Sequence, residues 1–156
     1  MSGLSHLPFQ AVGGQPAFEA AALERFVREP RVAILAYARA DGRPGQSPIW
    51  YMYRDGAFYM STVTGSPKAR ALARESRVCL TIQDEAAPYR AAIFDGEVAL
   101  NPLAEGGPVA GLATRYLGKI GAAAYDQLTA ETYERTGLTL ITLRPQSVRG
   151  FDNTRG

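Results

Sequence analysis

Ser61-Thr62-Val63-Thr64-Gly65-Ser66-Pro67-Lys68-Ala69-Arg70-Ala71-Leu72 reads as the end of an aromatic-rich strand, a short turn and the opening of a helix. Ser66 is a favoured N-cap, and Pro67 suits the first helical position, where a missing N–H costs nothing. A helix begun in this way presents unpaired backbone N–H groups and the positive end of its dipole, and both attract an anion such as a phosphate. Lys68 adds a full charge in the same turn, and the hydroxyls of Ser61 and Thr62 can donate further hydrogen bonds. Ser-Pro-Lys is also an ordinary helix cap, and Lys and Arg on a short helix usually form a solvated face. The surrounding sequence has to decide between these readings.

Upstream, Val32 to Ala38 is an apolar run closed by Asp41-Gly42-Arg43-Pro44, and Gln46 to Tyr53 is an aromatic-rich run closed by Arg54-Asp55-Gly56. Ala57 to Val63 follows as a third strand, and the two Asp-Gly turns between β-prone runs predict antiparallel hairpins. Downstream of the helix at Pro67 to Arg74, the run from Arg77 to Asp84 alternates, with Val78, Leu80 and Ile82 on one side. Tyr89 to Leu100 is the longest predicted strand, and Asp95-Gly96 inside it predicts a bulge or sharp bend that would help a sheet curl into a barrel. Leu138 to Leu143 is the last core strand, expected to stop before Pro145.

Helical spacing of Phe18, Ala21, Ala22, Leu23, Phe26 and Val27 predicts a first helix from Ala17 to Arg28, stopped by Pro30. Two more are expected at 109–117 and 122–135, separated by Gly118 and Gly121, with Gly137 ending the second. Residues 1–15 read as a loose arm, 16–152 as one domain and 153–156 as a tail. Six mostly antiparallel strands with peripheral helices predict a strand-rich α+β fold, a small six-stranded antiparallel β-barrel, closed or split.

The 156 residues suffice for one domain with its own core. A formal charge of +2, spread without blocks of like charge, gives no indication of a nucleic-acid or membrane partner. Cys79 is the only cysteine and His6 the only histidine, which excludes an internal disulfide and argues against a metal centre or a histidine-based triad. The N-terminus shows no basic region followed by an apolar stretch, and no segment is long enough to span a bilayer, so a cytoplasmic location is expected.

With these elements placed, the chain resembles the split-barrel flavin- and deazaflavin-binding proteins, the family around pyridoxamine-phosphate oxidase and the deazaflavin-dependent reductases. The matching text is Asp41-Gly42-Arg43-Pro44, Pro48-Ile49-Trp50-Tyr51, Ser66-Pro67-Lys68-Ala69-Arg70-Ala71-Leu72, Ser76-Arg77-Val78 and Phe94-Asp95-Gly96-Glu97-Val98, with a weaker match at Arg149-Gly150-Phe151-Asp152. The likeness spans about residues 18–152. It implies a homodimer with a cofactor in each of two clefts between subunits. It also implies that Lys68, beside Ser66 and Pro67, contacts a phosphate, with Ser61 and Thr62 as the hydroxyl pair before it. Ser47, Pro48, Ile49 and Trp50 correspond to the strand along which the tricyclic ring lies, and Tyr89 to an aromatic reaching over from the other subunit. For Trp50, barrel packing and ring contact stay equally open, while Tyr51 and Tyr53 read as structural.

The chain departs from true pyridoxamine-phosphate oxidases. Their C-terminal Arg-x-His substrate signature has no counterpart in Phe151-Asp152-Asn153-Thr154-Arg155-Gly156, and Ala91 stands about where a glutamine helps hold FMN. The resemblance therefore points to the branch that uses coenzyme F420. The expected activity is hydride transfer from that deazaflavin to an unsaturated organic substrate, with an FMN-dependent oxidoreductase or a non-catalytic flavin or haem binder as alternatives. No acid–base dyad stands out, so no catalytic residue is assigned.

Overall fold

A computed structural model of the protein describes residues 3–155. Its elements are β1 (Phe9–Ala11), α1 (Ala20–Arg28), β2 (Ala33–Ala38), β3 (Pro44–Ile49), β4 (Met52–Arg54), β5 (Ala57–Val63), α2 (Pro67–Arg74), β6 (Arg77–Gln83), β7 (Arg90–Pro102), α3 (Leu112–Thr136) and β8 (Leu138–Asp152), with a short 3-10 turn at Asn153–Arg155. The alternation in β6 is realised: Val78, Leu80 and Ile82 are buried, while Cys79 and Thr81 lie half-buried on the outer face. Period-2 alternation places one set of side chains in the core because successive Cβ atoms point to opposite faces.

The strands form one sheet in the order β3-β2-β6-β7-β8-β5-β4, with β1 added parallel to β8. All pairs along the path are antiparallel. Its two end strands, β3 and β4, are consecutive in the chain and joined only by Trp50 and Tyr51. Three Cα steps reach about 11 Å at most, so the sheet has to curl until its edges nearly meet. The result is the expected split barrel, with eight strands rather than six. One extra strand comes from the break of the predicted Gln46–Tyr53 run at Trp50-Tyr51, where the chain leaves β2 and turns to pair with β5. The other is β1, within the arm expected to be loose. Leu4 is buried, Phe9 packs edge-on against Phe18, and Val148 N donates to Pro8 O at 3.1 Å.

β8 does not stop before Pro145 but runs through it. The register slips at Asp95/Gly96, so that Gly96 lies opposite Pro145 and Asp95 opposite Ser147, leaving Gln146 as the bulged residue. A proline is tolerated there because the ladder lacks a hydrogen bond at a bulge in any case. Gly96 is required by contact: a Cβ on it would meet Leu143 Cδ1 at 2.9 Å and Arg144 O at 3.1 Å.

Inside the curl, Tyr51, Phe58 and Phe94 are fully buried, with Phe58 ring-to-ring with both others at 5.6 and 4.8 Å. The Tyr51 hydroxyl reaches Val27 O at 2.9 Å and Glu29 O at 3.2 Å, tying the end of α1 to the barrel. Beside it Asp84 accepts from Arg31 Nε at 2.9 Å and Arg90 Nε at 2.6 Å. Burial works to raise the Asp84 carboxyl, but the hydrogen bonds from Arg90 and Arg31 outweigh it and hold it below the usual range. Helix α3 is broken at Gly118 alone, where the expected gap ran from Gly118 to Gly121: Gly118 has φ 71 and ψ 175, the helical chain restarts at Lys119, and Gly121 remains inside it. Among the described residues, no helix is long and apolar enough to cross a membrane.

Candidate cofactor site

The strand-to-helix turn forms as its sequence predicts. Gly65 takes φ +76, Ser66 caps α2 by accepting from Ala69 N at 3.2 Å, and Pro67 occupies the first turn. The first turn is less open than its sequence suggests. Ser66 N donates to Val63 O at 3.1 Å and Arg70 N to Ser66 O at 3.0 Å. Proline has no N–H and Ala69 N is capped, so the Lys68 N–H is left as the donor without a partner among the described residues.

The charge of the site rests mainly on the Lys68 side chain. Its ammonium donates to Ser47 Oγ at 3.1 Å, across from β3. Burial lowers its pKa below the ordinary lysine value, and no neighbouring carboxylate offsets that effect. A half-buried cation held by one neutral hydroxyl is a group with unused capacity for an anion. Thr62, nearly buried, joins the same cluster through a 3.2 Å contact between Thr62 Oγ1 and Ser66 Oγ.

A cavity of about 580 Å³ opens beside this turn, within the range of ligand pockets. Six of the sequence-predicted residues line it: Pro48, Ile49, Trp50, Ser61, Thr62 and Lys68. Ser47 reaches it through Lys68, while Ser66 and Pro67 shape the turn without facing the space. Tyr89 lies apart, half exposed between β6 and β7, and does not line this chain's cavity.

The opposite wall comes from residues that sequence reading passed over. The loop after β7 contributes Leu103, Glu105 and Val109, and α3 contributes Tyr125, Asp126 and Tyr133. Trp50 is gripped by this wall: Tyr116 stacks on its ring at 5.1 Å with planes 6° apart, and Tyr125 tilts against it at 5.2 Å. Tyr116 also holds the β3–β4 link, accepting from Tyr51 N at 3.2 Å and donating to Arg31 O at 2.8 Å. Packing and cavity lining thus meet in Trp50, with one ring face already covered. The tyrosine spacing along α3 was the available signal; nothing in it names the strand residue it would meet.

The residues fit a planar ligand with an acidic tail. Apolar walls from Ile49, Val63, Leu103 and Leu138 offer a slot, and Lys68 with the Ser61 and Thr62 hydroxyls lies on the same cavity surface for the anionic part. Among the described residues no group of histidine, cysteine, aspartate and glutamate side chains is suited to hold a metal ion.

Known structures share this architecture. A conserved hypothetical protein from Mycobacterium tuberculosis superposes with a TM-score of 0.69 at 22% identity, over 90% of this chain and 88% of that one. An F420 reductase matches with a TM-score of 0.63 at 22% identity, over 80% and 94%. The haem storage protein HutZ from Vibrio cholerae matches with a TM-score of 0.59 at 20% identity, over 81% and 89%. At these identities the likeness establishes the fold, one shared by flavin-type oxidoreductases and haem-binding proteins. No curated protein matches the sequence. The family model of pyridoxamine 5'-phosphate oxidase matches residues 20–152, every element from α1 to β8. With the split barrel in place and the match running along nearly all of it, the chain belongs to the pyridoxamine 5'-phosphate oxidase family.

Proposed function

We propose that the protein is a reductase that binds the deazaflavin coenzyme F420 and uses it to reduce an unsaturated organic substrate. The observation that carries this reading is the half-buried Lys68 ammonium, held among the described residues only by Ser47 Oγ, at a largely apolar cavity in a chain of this family. Membership of the family and a fold shared with an F420 reductase support it. The bound cofactor supplies the hydride; the protein supplies binding, orientation and a water-poor surface.

In this reading Lys68, its own N–H and the Ser61 and Thr62 hydroxyls hold the phosphate. The β3 edge from Ser47 to Trp50 lies along the ring, and the α3 wall leaves the opposite face for substrate. The protein works as a homodimer, with Tyr89 of a second copy closing over the cavity, and it resides in the cytoplasm. Ala91 is buried against the β6 and β8 ladders, so this position offers a flavin no side-chain amide and the deazaflavin is favoured over FMN. Haem storage is disfavoured because the only histidine, His6, is exposed near the N-terminus and does not line the cavity.

Titration of oxidised F420 onto the purified protein tests the reading. Trp50 is the only tryptophan and lines the cavity, so its emission reports the ligand's arrival. Saturable quenching at micromolar concentration is expected. Absence of binding in that range, or flavin released on denaturing a yellow preparation, would refute F420 as the cofactor.

A further inference from the structure

Two phenol oxygens meet in the cavity wall. Tyr125 and Tyr133, on one side of α3, place their hydroxyls 2.6 Å apart, and both residues line the space shared by Trp50 and Lys68. Thr129, between them on the helix, turns its hydroxyl away to Tyr125 O at 2.9 Å and does not compete. Each phenol carries one proton and can also accept. One proton is spent within the pair, so one O–H always remains, and neither hydroxyl has another partner among the described residues. The hydroxyl that accepts is polarised by its neighbour and becomes the better donor. The remaining polar side chains of this wall, Asp126 and Glu105, are acids.

We propose that the Tyr125–Tyr133 hydroxyl pair is the proton donor of the reduction and the seat of the substrate's carbonyl oxygen, which makes a conjugated ketone or quinone the substrate class. This assignment rests on the reductase reading above. One carbon of the substrate C=C bond gains a hydrogen with its electron pair from the reduced deazaflavin, which is oxidised by two electrons. The π pair of that bond moves toward the carbonyl oxygen, where the free O–H of the pair meets the growing negative charge. The proton of that O–H passes to this oxygen and gives the enol. The enol's α carbon then takes a proton from water while its O–H proton returns to the phenolate, leaving the saturated ketone and the hydroxyl pair as it began. Burial, followed by the hydrogen bond from Tyr133, pushes the Tyr125 phenol up to about 12, so Tyr125 enters the reaction protonated. Asp126, Glu105, Tyr133 and Lys68 are the titratable groups lining the same cavity.

Tyr125→Phe, Tyr133→Phe and the double variant each remove only oxygen and keep both rings, including the Tyr125 ring against Trp50. Three measurements decide. F420 binding by Trp50 quenching is expected to stay within twofold of the unaltered protein. Binding of 4-nitrophenolate to the cofactor-free protein, followed by the shift of its absorbance band, is expected to weaken at least tenfold in the double variant. Steady-state reduction of 2-cyclohexen-1-one by reduced F420 is expected to fall at least tenfold in kcat in the double variant. Each single variant keeps one phenol that can donate but has lost its polarising partner, so each should lower kcat by less than the double variant does. Normal cofactor binding with enone reduction within twofold in all three variants overturns the assignment and leaves the reductase reading standing. So does nitrophenolate binding that is absent from the unaltered protein or retained by the double variant. Failure of the unaltered protein to bind F420 overturns the functional reading and this assignment with it. If Tyr125→Phe does not fold, Tyr133→Phe alone carries the comparison.

Discussion

Replacing Lys68 by methionine keeps an unbranched side chain one atom shorter and removes its charge, and two opposite consequences follow. A unit charge 4 Å from a phosphate oxygen, at the effective permittivity of a partly buried site, carries about 4 kcal/mol of attraction. Part of that is spent on stripping water from both ions, and charge-assisted hydrogen bonds net about 1.5–3 kcal/mol. Lys68 is only half-buried, so the lower part of the range applies, a loss of roughly ten- to fifty-fold in affinity. Lys68→Glu should weaken binding further, by at least about tenfold on charge reversal alone. Stability should move the other way. The ammonium gives up water with only Ser47 Oγ in return, so Lys68→Met should unfold at the same temperature as the unaltered protein or higher.

The pH dependence of Lys68 has a definite sign. Its pKa in the free folded protein is lowered by burial, so the charged form adds a folding penalty that fades as pH rises toward and past that value. An anion in contact favours the ammonium and raises the pKa again. Cofactor affinity should therefore be full below the free-state pKa and decline as pH rises through the interval up to the bound-state value. Titrations of F420 by Trp50 quenching across pH 7–10, with melting curves on the same samples, read both effects. Equal affinity in Lys68→Met and the unaltered protein, within twofold, would mean that no anion touches this ammonium and that the turn is only a helix cap.

Other perturbations test the frame that positions the site. Tyr51→Phe leaves Val27 O and Glu29 O without their donor inside the core and should cost about 1–3 kcal/mol, read from the urea midpoint. Asp84→Asn should cost a similar amount, because Arg31 and Arg90 lose a shared carboxylate. Since the Asp84 pKa is lowered in the fold, its contribution is complete above the ordinary carboxylate range and lost as pH falls through the lowered value; the variant's acid unfolding curve should be correspondingly shallower below pH 4. Gly96→Val sets new atoms against Leu143 and the backbone at Arg144 and Pro145, and should lower the melting temperature by several degrees; an unchanged melting curve would show that the bulge can relax.

Local chemistry along the chain was readable before any fold was known. Ser66-Pro67 places the start of α2, Asp-Gly pairs place hairpins, alternation places the inner face of β6, and Asp95-Gly96 places the bulge. These are short-range effects: a cap, a positive φ, a two-residue period. Residues that depend on distant partners were misjudged. Pro145 looked like a stop because its tolerance comes from Gly96 across the ladder, and Leu4 and Phe9 looked loose because their contacts lie on α1 and β8.

The cavity divides along the same line. Its floor, from Ser47 to Trp50 and from Ser61 to Lys68, was visible in the chain because each half is a contiguous stretch whose residue types already suggest an anion and a ring. Its far wall was not. Tyr116, just before the break at Gly118, and Tyr125 and Tyr133, beyond it, acquire a role only when both segments of α3 are laid against the distant strand-end residue Trp50 and its cavity. Propensities and caps act over a few residues and are written in the order of the amino acids. Which surfaces then face one another is decided by the curl of the whole sheet, and no local pattern carries that information.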